Sequence, residues 1–197
     1  MLKSELRKIY LNRQKSLSQI EREQKSAQVA FNLFKNFTFR DKRFVNCFIT
    51  FEKNKELQTA QIFERLWREF PQITTCAPRV DFETNKLEIV RCASDAKFIL
   101  NKWQIVEPEG SEIIDPAKLD VVLVPLLSFD QSGLRIGYGK GFYDKFLIEC
   151  RSDCAKIGLS LFPPVEKIAD AQDFDVRLDF CVTPERTWKF KKTVSRE

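Results

Sequence analysis

The stretch LDVVLVPLLSFDQSGLRIGYGKGFYDKFLIEC, residues 119–150, decides the fold. It opens on the most apolar run of the chain. β-Branched residues dominate that run, which predicts a buried central strand ending near Pro125. A loop follows with four of the chain's six glycines, at 133, 137, 139 and 141. Residues 141–150 then start a helix. In open α/β sheets a ligand sits at the carboxyl end of such a strand, and the free N–H groups of the next helix favour an anion. Glycines cost conformational entropy and persist where backbone turns tightly or approaches something closely. Arg135 offers bidentate donors and Lys140 a point charge, so the loop reads as a phosphate cradle. A plain strand-to-helix turn needs only one or two glycines. A Walker loop would need glycine in place of Leu134 and Ser or Thr in place of Gly141. A dinucleotide fingerprint would need glycine at Phe142 or Tyr143.

Outward from this unit, residues 2–15 read as a polar, basic helix. Leu2, Leu6, Ile9 and Tyr10 share one face, and Lys3 and Arg7 lie side by side on another. Ser18 and Glu21 have capping-box spacing and open a second helix to about Asn36, with Ile20, Val29, Phe31, Leu33 and Phe34 as its apolar residues. Residues 43–51 read as a strand, and 59–70 as a helix with Thr59 at its N-cap. Residues 72–80 read as a strand stopped by Pro78, and 86–92 as another. A short helical turn is expected at 95–100, with further short strands at 155–162 and 178–183. Strands alternating with helices predict one α/β domain over residues 1–197, a three-layer α-β-α arrangement with a mostly parallel central sheet.

Composition narrows the chemistry. There are 33 Lys and Arg against 28 Asp and Glu, dispersed along the chain. The one dense basic run, RTWKFKKTVSR at 186–196, reads as a solvated tail. The absence of histidine excludes Ser–His and Cys–His catalysis and imidazole metal sites. Any metal must be held by oxygen, which points to magnesium. The six cysteines form no C-x-x-C pair, and several lie in apolar stretches, as small buried hydrophobes do. The N-terminus carries no signal peptide, and no apolar run is long enough to span a membrane. A cytoplasmic protein with reduced thiols is expected. No long amphipathic seam demands a partner, which predicts a monomer.

FDQSGLRIGYGKGFYDKFL, at 129–147, resembles the signature F-D-x-x-G-x-R-[LI]-G-x-G-x-G-Y-Y-D of the 5-formyltetrahydrofolate cyclo-ligase, or 5,10-methenyltetrahydrofolate synthetase, family. KSELR (3–7), ELQT (56–59), PRV (78–80), IVEP (105–108) and FDVRLDFCVT (174–183) follow the family's order, so the resemblance covers nearly the whole chain. It implies an ATP- and magnesium-dependent cyclisation of 5-formyltetrahydrofolate, with release of ADP and phosphate. Such chemistry rests on positioning and charge neutralisation. The resemblance assigns ATP contacts to Lys3, Arg7 and the loop Arg135, Ile136, Gly137, Tyr138, Gly139, Lys140, Gly141, Phe142 and Tyr143. Residues 138–142 also meet the folate or its transferring phosphate. Asp144 and Asp175 become the metal-side carboxylates, and Glu56 the acceptor for the N–H donors of the pterin. Phe51, Tyr138, Phe142 and Trp103 become its apolar walls. The chain departs from the pattern in carrying Phe142 for the first tyrosine of Tyr-Tyr-Asp. It also has Phe174-Asp175 where many relatives have His-Asp. The loop before Glu56 varies in length among relatives.

Two other readings compete. An α/β enzyme for a sugar phosphate or CoA-type substrate would not need Lys3, Arg7 and the loop together. An RNA-binding protein would show interleaved aromatic and basic residues, which this chain lacks.

Overall fold

The computed structural model describes residues 1–110 and 112–191. In chain order the elements are α1 (Lys3–Ser16), α2 (Gln19–Asn36), β1 (Phe44–Cys47), α3 (Ala60–Glu69), β2 (Thr74–Asp81), β3 (Lys86–Arg91), β4 (Phe98–Leu100) and β5 (Val106–Pro108). There follow β6 (Val121–Pro125), β7 (Ser128–Phe129), β8 (Arg135–Ile136), α4 (Phe142–Glu149), β9 (Ala155–Leu159), β10 (Phe180–Val182) and β11 (Thr187–Lys189). Short 3₁₀ turns occupy Glu52–Asn54 and Pro116–Lys118.

Seven strands form the main sheet in the order β11-β10-β9-β6-β1-β2-β3. The inner pairs are parallel, and only the edge strands β3 and β11 run antiparallel to their neighbours. The apolar run of β6 explains its central place. Val121 and Leu123 pack into one core with α1, α2 and α3, while Val122 and Val124 pack into a second with α4. Both faces of the sheet are therefore covered, as an all-apolar strand requires. This is the expected α-β-α layering with a mostly parallel sheet. All six cysteines are free and buried in these cores. Among the described residues no helix is long and apolar enough to cross a membrane.

Several local expectations are corrected. Residues 98–100 form a strand, not a helical turn. Asn101 causes this, because its side chain accepts the N–H groups of Trp103 (2.8 Å) and Ile105 (3.1 Å) and closes a β4–β5 hairpin. Strand β2 runs through Pro78 to Asp81. Its parallel register with β1 ends at Cys76, so the missing N–H of Pro78 costs no bond on that side. Strand β1 is shorter than expected and gives way to irregular chain after Cys47. Thr59 stands at the start of α3, but its hydroxyl donates to the Phe48 carbonyl (2.8 Å) instead of capping the helix. Leu2, Ile9, Ile20 and Phe31 are exposed, while Gln14, Arg22, Ser26 and Asn32 are buried. The start of the basic C-terminal run forms edge strand β11, where Arg186 lies 3.6 Å from the Trp188 ring centre. Residues 192–196 of that run lie outside the described residues. The Ser18–Glu21 capping box forms as expected.

The glycine loop is aimed by a small hairpin, β7–β8. Buried Asp130 holds it, with Oδ1 accepting the N–H groups of Ser132 (2.8 Å) and Leu134 (3.2 Å) and Oδ2 that of Ile168 (3.1 Å). Gly133 serves this hairpin rather than a ligand. Its φ is +86°, and an added Cβ would sit 2.8 Å from the Phe190 ring and 2.9 Å from the Leu178 carbonyl. Gly133→Ala is expected to destabilise the fold by about 2–4 kcal/mol. A urea titration should show a lower midpoint with an unchanged slope. An unchanged midpoint would mean that the hairpin yields freely.

Candidate active site

A cavity of about 570 Å³ opens at the carboxyl ends of β1 and β6, bordered by Phe48, Ile49 and Pro125. The strand order reverses here, since β2 lies on one side of β1 and β6 on the other. Open α/β sheets place ligands at such a switch point. Every residue of the loop from Arg135 to Asp144 lines this cavity. So do Lys3, Arg7, Phe51, Glu56, Trp103 and Asp175. Residues scattered over the chain thus converge on one volume, large enough for small-molecule ligands.

Helix α1 reaches the loop from the side. Arg7 Nε donates to the Gly137 carbonyl at 3.1 Å. Gly139 has φ +91°, and a Cβ there would meet the Arg7 guanidinium at 3.1 Å. The left-handed backbone favours glycine here, and a Cβ would press on the arginine. Gly141 caps α4 from the left-handed region, and Phe142, Tyr143 and Asp144 form the helix's first turn.

The cations differ in what they have free. Lys3 Nζ is paired with Asp175 Oδ2, and Asp175 also accepts the Gln172 N–H at 2.7 Å. Arg135 is buried, paired with Asp144 Oδ1 at 2.7 Å and bonded to the Val176 carbonyl. Asp144 Oδ1 accepts the Val176 N–H as well, at 3.1 Å. Among the described residues, no ion pair engages Arg7 or Lys140. Lys140 is exposed, with Nζ 5.9 Å from the Trp103 ring centre. The Trp103 ring in turn lies 6.1 Å from Phe142. Hence Arg7 and Lys140 hold the uncompensated positive charge beside the loop.

Glu56, whose sequence context suits either a pterin ligand or a solvated loop charge, is buried. The 3₁₀ turn at 52–54 and the left-handed Lys55 (φ 49°) turn the chain inward. Glu56 Oε2 then accepts the Phe51 N–H at 2.9 Å. Burial raises its pKa to about 7, against which the Phe51 N–H and the Tyr138 hydroxyl favour the carboxylate. Tyr138 itself is pushed well above the usual phenol range, by burial and then by Glu56, so its hydroxyl stays protonated. The Tyr143 hydroxyl is buried without a hydrogen-bond partner among the described residues.

Two polar residues of the cavity region gave no sequence signal. Gln14 is buried, and its Nε2 donates to the Asn54 carbonyl (2.8 Å) and the Tyr138 hydroxyl (3.0 Å). Glu107 is buried and accepts the Val80 N–H at 2.8 Å. It lies within the IVEP stretch, a landmark of the resemblance that gives Glu107 itself no role.

The model of the 5-formyltetrahydrofolate cyclo-ligase family matches residues 1–184. The 5-formyltetrahydrofolate cyclo-ligase of Escherichia coli K12 is 26% identical over 149 residues, which is 74% of this chain and 80% of that protein. Its namesake from Mus musculus is 30% identical over 146 residues, or 70% of each chain. The solution structure of Aquifex aeolicus 5,10-methenyltetrahydrofolate synthetase superposes with a TM-score of 0.80 at 28% identity, covering 100% of this chain and 97% of that one.

Proposed function

The chain belongs to the 5-formyltetrahydrofolate cyclo-ligase family and is an enzyme of that kind, and from that premise we propose that it closes 5-formyltetrahydrofolate to 5,10-methenyltetrahydrofolate with conversion of MgATP to ADP and phosphate. One observation carries the reading. A glycine loop with two uncompensated cations and a buried carboxylate share a single cavity with aromatic walls.

In this reading the formyl oxygen attacks the γ-phosphorus of ATP, ADP leaves, and an iminium phosphate forms. N10 then attacks the activated carbon and gives up its proton to solvent, and phosphate departs with the C–O bond electrons. The protein has to hold the two substrates in line and to offset phosphate charge. Lys3, Arg7 and the loop 135–143 bind ATP, with Arg7 and Lys140 facing charge that no carboxylate already balances. Arg135 acts largely by fixing Asp144 and the loop's entry. Glu56 accepts the pterin's N–H donors, and Phe51, Tyr138, Phe142 and Trp103 flank the ring. Loss of the hydroxyl at Phe142 leaves a ring that still packs on Trp103.

Asp144 and Asp175 suit a magnesium ion. Among the described residues no three acidic or thiol groups gather, but magnesium commonly takes one or two carboxylates and leaves the rest to phosphate and water. The hydrogen bonds to Asp144 fall on Oδ1 and those to Asp175 on Oδ2, so each keeps an oxygen for a hydrated cation. When bound with ATP, the ion would neutralise phosphate charge and polarise the transferring group.

Purified protein with 5-formyltetrahydrofolate, ATP and magnesium should generate the near-ultraviolet absorbance of methenyltetrahydrofolate. Mixtures lacking ATP or magnesium should stay flat. Equal rates without ATP would refute the phosphorylation step.

A further inference from the structure

Helix α1 links both substrate regions through one face. Lys3, Arg7 and Gln14 fall within about 40° of arc, and Gln14 stands about 10 Å along the axis from Arg7. Arg7 holds the Gly137 carbonyl, and Gln14 holds the side chain of the next residue, Tyr138. The orientation of the Gln14 amide is set by chemistry. The Asn54 carbonyl can only accept, so the nitrogen must face it. Both amide hydrogens are then committed, one to Asn54 and one to Tyr138. The Tyr138 oxygen therefore accepts from Gln14, which leaves its own hydrogen for another acceptor, and the Glu56 carboxylate lines the same small pocket as Gln14 and Tyr138.

We propose that Gln14 and Tyr138 are positioning residues for Glu56: Gln14 orients the Tyr138 hydroxyl as a donor, and that donation holds the Glu56 carboxyl turned toward the N–H groups of the folate ring. The proposal rests on the reading of Glu56 as the pterin acceptor. The groups around Glu56 make the pair necessary. Glu52 on its own turn, itself paired with Arg22 at 2.8 Å, opposes its charge, Glu107 adds a second carboxyl to the cavity lining, and Tyr138 and Tyr143 are neutral. The cations Lys3, Arg7, Arg135 and Lys140 line the same cavity, but none of them pairs with Glu56 among the described residues. A buried carboxylate without a cation depends on such donors to stay charged.

The experiment is calorimetric titration of the wild type, Gln14→Leu, Tyr138→Phe, the double variant and Glu56→Gln with 5-formyltetrahydrofolate, from pH 5.5 to 8.5. It needs no turnover. Either single variant should weaken binding about tenfold at neutral pH. The pH below which affinity falls should move upward by about one unit, because removing a donor to the carboxylate favours its protonated form. The double variant should be no worse than the poorer single one, since the two act in series. If Glu56→Gln weakens binding but both single variants keep the wild-type pH profile, the pair is structural and the proposal falls while Glu56 stands. If Glu56→Gln or the wild type shows no Glu56-dependent folate binding, the parent reading falls and takes this one with it. Tyr138→Phe keeps the ring and tests the idea even where Gln14→Leu loosens α1.

Discussion

Lys140→Ala is expected to lower kcat/KM for MgATP by about 10²–10³-fold and to leave the melting temperature where the wild type has it. The side chain is exposed, forms no ion pair among the described residues, and touches the fold only through a long contact with the Trp103 ring at 5.9 Å. Its removal therefore costs little stability. In the proposed reaction the same charge, held beside the glycine loop, would act on the phosphates without a competing carboxylate. Arg135→Ala is a poorer probe than its place in the glycine signature suggests. Truncating it leaves Asp144 without its cation and frees the Val176 carbonyl, both partly buried. Removing one partner of a buried pair commonly costs several kcal/mol, so lost activity in that variant would mix chemistry with misfolding. Steady-state kinetics on Lys140→Ala with a thermal melt of the same sample separates the two. Full activity in a folded Lys140→Ala protein would remove the loop lysine from phosphate binding.

That contrast marks how far the sequence could be read. Strand β6, the loop and α4 were legible because hydrophobic run, glycine cluster and helix period all agree locally. The resemblance also singled out Lys3 and Arg7, which line the same cavity as the loop. It could not tell one glycine's role from another's. Gly139 makes room for Arg7, while Gly133 makes room for Phe190, which is 57 residues further along the chain. Nor could it separate cations already paired with carboxylates, Lys3 and Arg135, from those still free. The β4–β5 hairpin eludes the helical reading of 95–100, because Phe98 and Ile99 favour a strand once the Asn101 side chain closes the turn to β5. Gln14 looks like any polar helix residue until Tyr138 and Asn54 close around it. These are partnerships across the chain, and local pattern carries no trace of them.

Glu56→Gln should weaken 5-formyltetrahydrofolate binding by about 10²-fold while making the protein more stable at alkaline pH. The first effect follows from replacing an acceptor-only carboxylate with an amide. Half of the amide's polar edge is a donor, which opposes the N–H groups of a pterin. The second follows from burial. The folded-state pKa of Glu56 is raised to about 7, against an ordinary value near 4.5. Between these values the folded chain binds more protons than the unfolded one, so stability falls as pH rises through that window. Above pH 7 the ionised, buried Glu56 costs up to about 3 kcal/mol, an upper bound set by the size of the shift. Glutamine cannot ionise, and its carbonyl can still accept the Phe51 N–H. Glu56→Gln should thus melt several degrees higher than wild type at pH 8, and the difference should shrink toward zero as pH approaches 4.5. Ligand binding reverses the balance: pterin donors favour the carboxylate, so wild-type affinity for folate should decline as pH drops below 7, with proton release on binding. Thermal melts at pH 8 and 5, run beside folate titrations, read both effects. Equal melting temperatures at pH 8 would show that the carboxylate is solvated in the free enzyme. Unchanged folate affinity would take Glu56 out of the site. The combination expected here, a gain in stability with a loss of binding, identifies a charge kept buried for its ligand at the cost of the fold.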